Sequence, residues 1–162
     1  MNKAKYVDTS IGTVAEEDSI DCHGGGKTYP GASVSGGMVQ LSPDTVTGGD
    51  NGNGYNYCHN TIEGFSFNHM SGIGWYGDLG NIQVMPVTGE TDLRSGSNEH
   101  VEFKKGTNGW KSPFSHQKEM ARAGYYSVEL ERYGILAETT VTPHGGYLRF
   151  TYPKTDDARV IF

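Results

Sequence analysis

The stretch Tyr125-Tyr126-Ser127-Val128-Glu129-Leu130-Glu131-Arg132-Tyr133-Gly134-Ile135-Leu136-Ala137-Glu138-Thr139-Thr140-Val141 decides the fold class. Strand side chains alternate between two faces, and residues 125–131 put Tyr126, Val128 and Leu130 together on one of them. Residues 135–141 repeat the pattern with Ile135, Ala137, Thr139 and Val141. A period of two through both runs predicts half-buried strands rather than helix. Glu131-Arg132-Tyr133-Gly134 is the turn between them, Gly134 supplying the positive φ that a short hairpin loop commonly requires. The pair reads as an antiparallel hairpin.

Downstream, a further strand over 147–152 puts Leu148, Phe150 and Tyr152 on one face. The run Ala158-Arg159-Val160-Ile161-Phe162 reads as a strand stopping in mid-course, so the natural protein is expected to continue past Phe162. Residues 116–123 hold helix formers, but too few to nucleate a helix alone. Residues 90–112 are polar and aperiodic, and are expected to form an exposed insertion.

Further upstream, the short apolar runs Met38-Val39-Gln40-Leu41 and Ile82-Gln83-Val84-Met85 lie among crowded glycines and predict short strands joined by tight loops. In residues 62–70, Phe65, Phe67 and His69 share a face, which points both phenylalanines at the core and leaves His69 near a loop mouth. The whole chain reads as all-β and antiparallel.

Its 162 residues suit one domain with a real core. With 13 basic against 19 acidic residues the net charge is -6, which leaves no basic surplus for a phosphate backbone and excludes nucleic acid as a partner. No apolar stretch approaches the roughly 20 residues of a membrane span, and no signal-peptide core follows Met1. Cys22 and Cys58 lack any metal-ligand spacing and are read as two buried free thiols, although an oxidising compartment would permit them to pair.

Three motifs fail on inspection. His23-Gly24-Gly25-Gly26 has the form of an oxyanion-hole loop, but no G-x-S-x-G elbow follows it. Gly26-Lys27-Thr28 lacks the earlier glycine of a phosphate loop, that position being Asp21. Asp50-Asn51-Gly52-Asn53-Gly54 has Gly52 where a calcium loop needs its second acidic ligand, so it reads as an Asx-rich turn.

Four segments carry a resemblance. They are Tyr6-Val7-Asp8-Thr9-Ser10-Ile11-Gly12-Thr13; Tyr29-Pro30-Gly31-Ala32 running on through Gly37-Met38-Val39-Gln40-Leu41-Ser42-Pro43-Asp44-Thr45; Gly64-Phe65-Ser66 to Gly74 with Asp78-Leu79-Gly80; and Gly124-Tyr125-Tyr126-Ser127-Val128. In order and spacing they resemble the N-terminal domain of glycoside hydrolase family 92, calcium-dependent α-mannosidases that act mainly on α-1,2-linked and related mannosides.

The resemblance implies an antiparallel, supersandwich-like β-sandwich filling residues 1–162. It implies an α-helical barrel downstream that carries the catalytic glutamate and aspartate and the calcium ligands, so no catalytic or metal residue is expected in this chain. It also implies an exo-acting, inverting mechanism, in which an acid protonates the leaving oxygen and a base activates water from the opposite face, the two carboxyl groups standing roughly 6.5–9.5 Å apart. The partners implied are a mannose-containing glycan and the enzyme's own helical domain, in a periplasmic or extracellular setting.

Within the matched segments, Gly31 corresponds to a family glycine lining the subsite for the terminal mannose, and it equally makes a Pro-Gly turn. His69 matches a Phe-Ser-x-x-His-x-Ser-Gly segment, available either to a sugar hydroxyl or to a facing loop. Where the family carries a pocket tryptophan after Ser-Pro-Asp-Thr, this chain has Thr47-Gly48-Gly49-Asp50-Asn51, and Tyr55, Tyr57 and Trp75 are the aromatics at hand to stack on a sugar in its place. A freestanding, non-catalytic carbohydrate-binding sandwich and a purely structural sandwich remain the alternatives to an enzyme domain.

Overall fold

A computed structural model describes residues 3–13, 28–45, 54–71, 81–94 and 109–162. Cys22, the run from His23 to Lys27, Thr47 to Asn53, Trp75, Asp78-Leu79-Gly80 and most of the polar stretch, 95–108, lie outside the described residues.

Ten strands are described: β1 (Ser42–Asp44), β2 (Thr61–Ile62), β3 (Gly64–Ser66), β4 (Met85–Val87), β5 (Ser112–Pro113), β6 (Glu119–Arg122), β7 (Tyr125–Leu130), β8 (Ile135–Thr142), β9 (Gly145–Thr151) and β10 (Arg159–Ile161). Besides them stand two 3-10 turns, at Lys3–Tyr6 and His116–Lys118. Every ladder is antiparallel.

The decisive hairpin forms as read. β7 pairs β8 in the register Tyr126↔Thr139, Val128↔Ala137 and Leu130↔Ile135, and Gly134 has φ 63°. Tyr126, Val128, Leu130, Ile135 and Ala137 are all fully buried. β6 and β9 complete a meander in the order β6-β7-β8-β9.

The second layer is pieced from short ribbons. β1 pairs β3, β4 pairs β10, and Phe65 and Val84 exchange backbone hydrogen bonds of 2.9 Å that join the two ribbons. Phe65 reaches across to the meander, its ring centre 6.1 Å from that of Phe150. Leu41, Ile62, Met85 and Val87 fill the space between the layers. The architecture is an antiparallel β-sandwich with its core between the two layers.

Several local expectations need correction. The apolar runs mark strands a few residues early, since Met38 and Ile82 are exposed, pairing begins only with single bridges at Leu41 and Val84, and the strands proper start at Ser42 and Met85. Residues 119–122 pair with β7 as a strand, because the edge of the meander offers hydrogen bonds that a short isolated helix cannot match. The described end of the polar stretch turns inward: Lys111 is 1% exposed and its Nζ lies 2.7 Å from Glu63 Oε1. Cys58 is exposed rather than buried.

Candidate functional site

Two clusters sit side by side where the matched segments converge. The first is centred on Asp44, at the end of β1. Its Oδ1 accepts from Ser66 Oγ at 2.9 Å and from His69 Nε2 at 2.8 Å, and its Oδ2 accepts from Gln83 Nε2 at 3.0 Å. His69 also donates from Nδ1 to the carbonyl of Gln40 at 2.8 Å. Both ring nitrogens are thus engaged by oxygens of the protein.

His69 does not continue the face of Phe65, since β3 stops at Ser66. The chain turns instead, and the ring is drawn in to 2% exposure by Asp44. Tyr29 packs over it with ring centres 5.3 Å apart. Gly54 closes the cluster at φ 73°, and a Cβ there would stand 2.7 Å from Asp44 Oδ1 and 2.9 Å from His69 Nε2.

Gly54 leads directly into the second cluster, an open hollow of about 210 Å³ walled by Pro30, Tyr55, Tyr57, His116 and Glu119, with Asp8 and Ser10 at its edge. Glu119 is its anchor. Oε1 accepts from the hydroxyls of Tyr55 at 2.9 Å and Tyr126 at 2.7 Å. Oε2 meets His116 Nδ1 at 2.5 Å, while His116 Nε2 donates to the Tyr57 carbonyl at 2.8 Å.

The His116 ring stacks flat on Tyr57, with centroids 3.8 Å apart and planes 6° apart, and Phe114 meets it edge-on at 5.2 Å. Burial, then the Glu119 carboxylate, hold the phenols of Tyr55 and Tyr126 far above the usual range, so both remain donors. Asp8, at the exposed edge, is held below the ordinary carboxylate range by hydrogen bonds from Ser10.

Of the residues singled out from sequence, Tyr55 and Tyr57 meet in this hollow, and Pro30 brings the Gly31 turn to its wall. Tyr55 is buried and offers the hollow little beyond its edge, whereas Tyr57 is 39% exposed. His69 lies in the neighbouring cluster with both nitrogens committed to the protein. The Cβ direction of Gly31 meets the backbone of Leu41 and Ser42, so close packing by itself accounts for a glycine there. Glu119, His116 and Asp44 escaped the sequence reading as site residues. The one local trace was the His116-x-x-Glu119 spacing at the entry to β6.

Glu119→Gln tests the anchor. An amide presents N–H donors where donors already converge, so a loss of about 1–3 kcal/mol is expected. Urea unfolding followed by tyrosine fluorescence reads it, and a wild-type midpoint would count against Glu119 as the anchor.

Among the described residues there is no group of three or more His, Cys, Asp or Glu side chains able to hold a metal ion. No helix among them is long and apolar enough to cross a membrane.

The comparisons with known proteins agree with this fold. The family model for the glycosyl hydrolase family 92 N-terminal domain matches residues 6–162. The family GH92 α-mannosidase BT3965 from Bacteroides thetaiotaomicron, solved in complex with mannoimidazole, superposes with a TM-score of 0.82 at 39% identity, over 97% of this chain and 19% of that one. The GH92 inverting mannosidase BT2199 from Bacteroides thetaiotaomicron VPI-5482 gives a TM-score of 0.56 at 26% identity, over 83% of this chain and 16% of that one. An uncharacterized secreted glycosidase of Arthroderma benhamiae is 31% identical over 153 residues, 94% of this chain and 18% of that protein. The chain spans about a fifth of the length of the relatives it matches. With fold, segments and family model in agreement, the chain belongs to glycoside hydrolase family 92, as its N-terminal domain.

Proposed function

We propose that this domain forms one wall of the sugar crevice of an exo-acting, inverting α-mannosidase, and that the carboxylates which break the bond belong to a helical domain outside residues 1–162. The observation that carries this reading is the hollow beside Tyr57. It is built where the family's segments meet, it is open, and its one well-exposed aromatic is held rigid by His116 and Glu119. A rigid aromatic beside convergent polar groups suits the apolar face and the hydroxyls of a pyranose. BT3965 is an α-mannosidase and BT2199 an inverting mannosidase, which supports extending such an activity to this protein.

In this reading Tyr57 packs on the sugar, and Tyr55 fixes the floor beneath it. Gly31 brings its backbone close to the terminal mannose. His69 sets the adjoining loop, and Trp75, outside the described residues, stays a candidate aromatic on the sequence alone. Calcium in the whole enzyme would take its ligands from the helical domain. The secreted relative supports an extracellular or periplasmic location.

The test compares the complete encoded protein with residues 1–162 alone on α-1,2-mannobiose, with calcium and with chelator, following the anomer released by NMR. Expected are β-mannose from the complete protein, loss of activity with chelator, and no turnover by the short chain. Turnover by the short chain, or release of α-mannose, would sink the proposal. Tyr57→Ala in the complete protein is expected to raise KM roughly two- to tenfold with a smaller change in kcat, as loss of one aromatic contact implies. Sugar binding by the complete protein without hydrolysis would favour the non-catalytic alternative.

A further inference from the structure

The outer face of the meander carries a second hollow, of about 250 Å³, which shares no lining residue with the one beside Tyr57. It follows from the register. Tyr125 pairs Thr140 and Thr140 pairs Tyr147, so one row across three strands reads tyrosine, threonine, tyrosine. Neighbouring strands lie about 4.8 Å apart, so the two tyrosines stand about 10 Å apart at the backbone, with a short side chain between them. The result is a slot with an aromatic on each side.

The slot is held open rather than collapsed. Arg122 pairs Tyr125 from the side opposite Thr140 and lays its guanidinium 4.6 Å from the ring centre, which leaves the other face toward the slot. The Tyr125 hydroxyl donates to Glu138 Oε1 at 2.8 Å, and Thr140 Oγ1 donates to the carbonyl of Gly124 at 2.8 Å. Arg149 closes one end, donating from Nε and Nη2 to the same Glu138 carboxylate at 2.6 Å each. An ion pair whose arginine is 74% exposed adds little to stability. Its effect here is to hold the Glu138 carboxylate that fixes Tyr125, while the rest of the exposed guanidinium stays in solvent reach.

We propose that this slot is a second carbohydrate-binding site, separate from the crevice, taking one neutral hexopyranose of a mannose-containing glycan. Three observations choose the occupant. The aromatic walls match the apolar faces of a pyranose, while Glu138 and Arg149 cancel each other's charge and leave polar donors suited to hydroxyls. The volume is below the roughly 300–1,000 Å³ typical of pockets for larger ligands, so it holds a single ring. Tyr147, 60% exposed, is the wall most open to a ligand. Such a site would keep the domain on a branched glycan while its crevice works on one chain end.

The test is affinity electrophoresis of the complete encoded protein through gels containing soluble α-mannan, with mannoimidazole added to saturate the crevice. Retardation is expected to persist under mannoimidazole. Tyr147→Ala is expected to weaken it roughly two- to tenfold, as loss of one stacked aromatic would, and Thr140→Trp, which plugs the slot, to abolish it. Both variants should keep the wild-type melting temperature and the wild-type rate on mannobiose.

Absence of retardation, its complete loss under mannoimidazole, or its survival in both variants would overturn the site. So would a lowered melting temperature of Tyr147→Ala with unchanged retardation, because the face would then be packed against another part of the protein. Failure of the mannosidase reading would appear separately, as retardation without hydrolysis.

Discussion

Replacing Asp44 with alanine is expected to destabilise the protein by about 3 kcal/mol or more, since three buried groups lose their hydrogen-bond partner at about 1–3 kcal/mol each. The carboxylate is fully buried and takes hydrogen bonds from Ser66, His69 and Gln83. Without it, the His69 ring loses the partner of its Nε2, and Ser66 and Gln83 lose their acceptor. Domains of this size are stable by about 5–15 kcal/mol in all, so the variant should lie close to unfolding at 37 °C. Urea denaturation of the wild type and of Asp44→Ala measures this directly. A loss below about 1 kcal/mol, the level of an exposed pair, would show that the cluster is not the fastening described here. Asp44→Asn keeps the shape and one acceptor oxygen, so it should lose less.

Gly31→Ala is expected to be at least as damaging, with a cost of about 3 kcal/mol or more from overpacking against backbone. A Cβ on Gly31 would stand 2.3 Å from both the carbonyl oxygen of Leu41 and the Cα of Ser42. Neither can swing away, because Ala32 and Leu41 exchange backbone hydrogen bonds of 2.7 and 3.0 Å at this point. The control is Gly145→Ala, where a Cβ finds its nearest neighbour at 3.5 Å, so a change of no more than about 1 kcal/mol is expected. Soluble yield and the denaturation midpoint of the two variants separate the cases, and equal behaviour would refute the packing argument. A consequence follows for function. Loss of activity in Gly31→Ala would report on folding, so contact between Gly31 and sugar has to be read from a ligand complex.

These two sites also mark how far the sequence could be read. The β7–β8 hairpin was legible because its determinants are local: each strand shows its buried face every second residue, and Gly134 serves the turn between them. The strand over 159–161 was legible for the same reason, as was the inward face of Leu148, Phe150 and Tyr152. β6 was not, because residues 116–123 carry no clear period, and only the open edge of β7 makes them a strand.

The site depended still more on distant partners. Tyr57 stood out as an aromatic, but what holds it is His116, 59 positions away. Glu119 meets Tyr55 across 64 positions, and His69 meets Asp44 across 25. Nothing within a turn or a strand predicts such pairs. By itself the sequence determined the all-β class, the central hairpin and the family, because alternation, turn chemistry and motif words are carried by neighbouring residues. Tertiary structure alone decided that His69 and Lys111 go inside, that Glu119 gathers two tyrosines and a histidine, and that Tyr125 and Tyr147 share one row on either side of Thr140. Burying a charge or aligning a row across three strands requires partners that only the folded chain brings together.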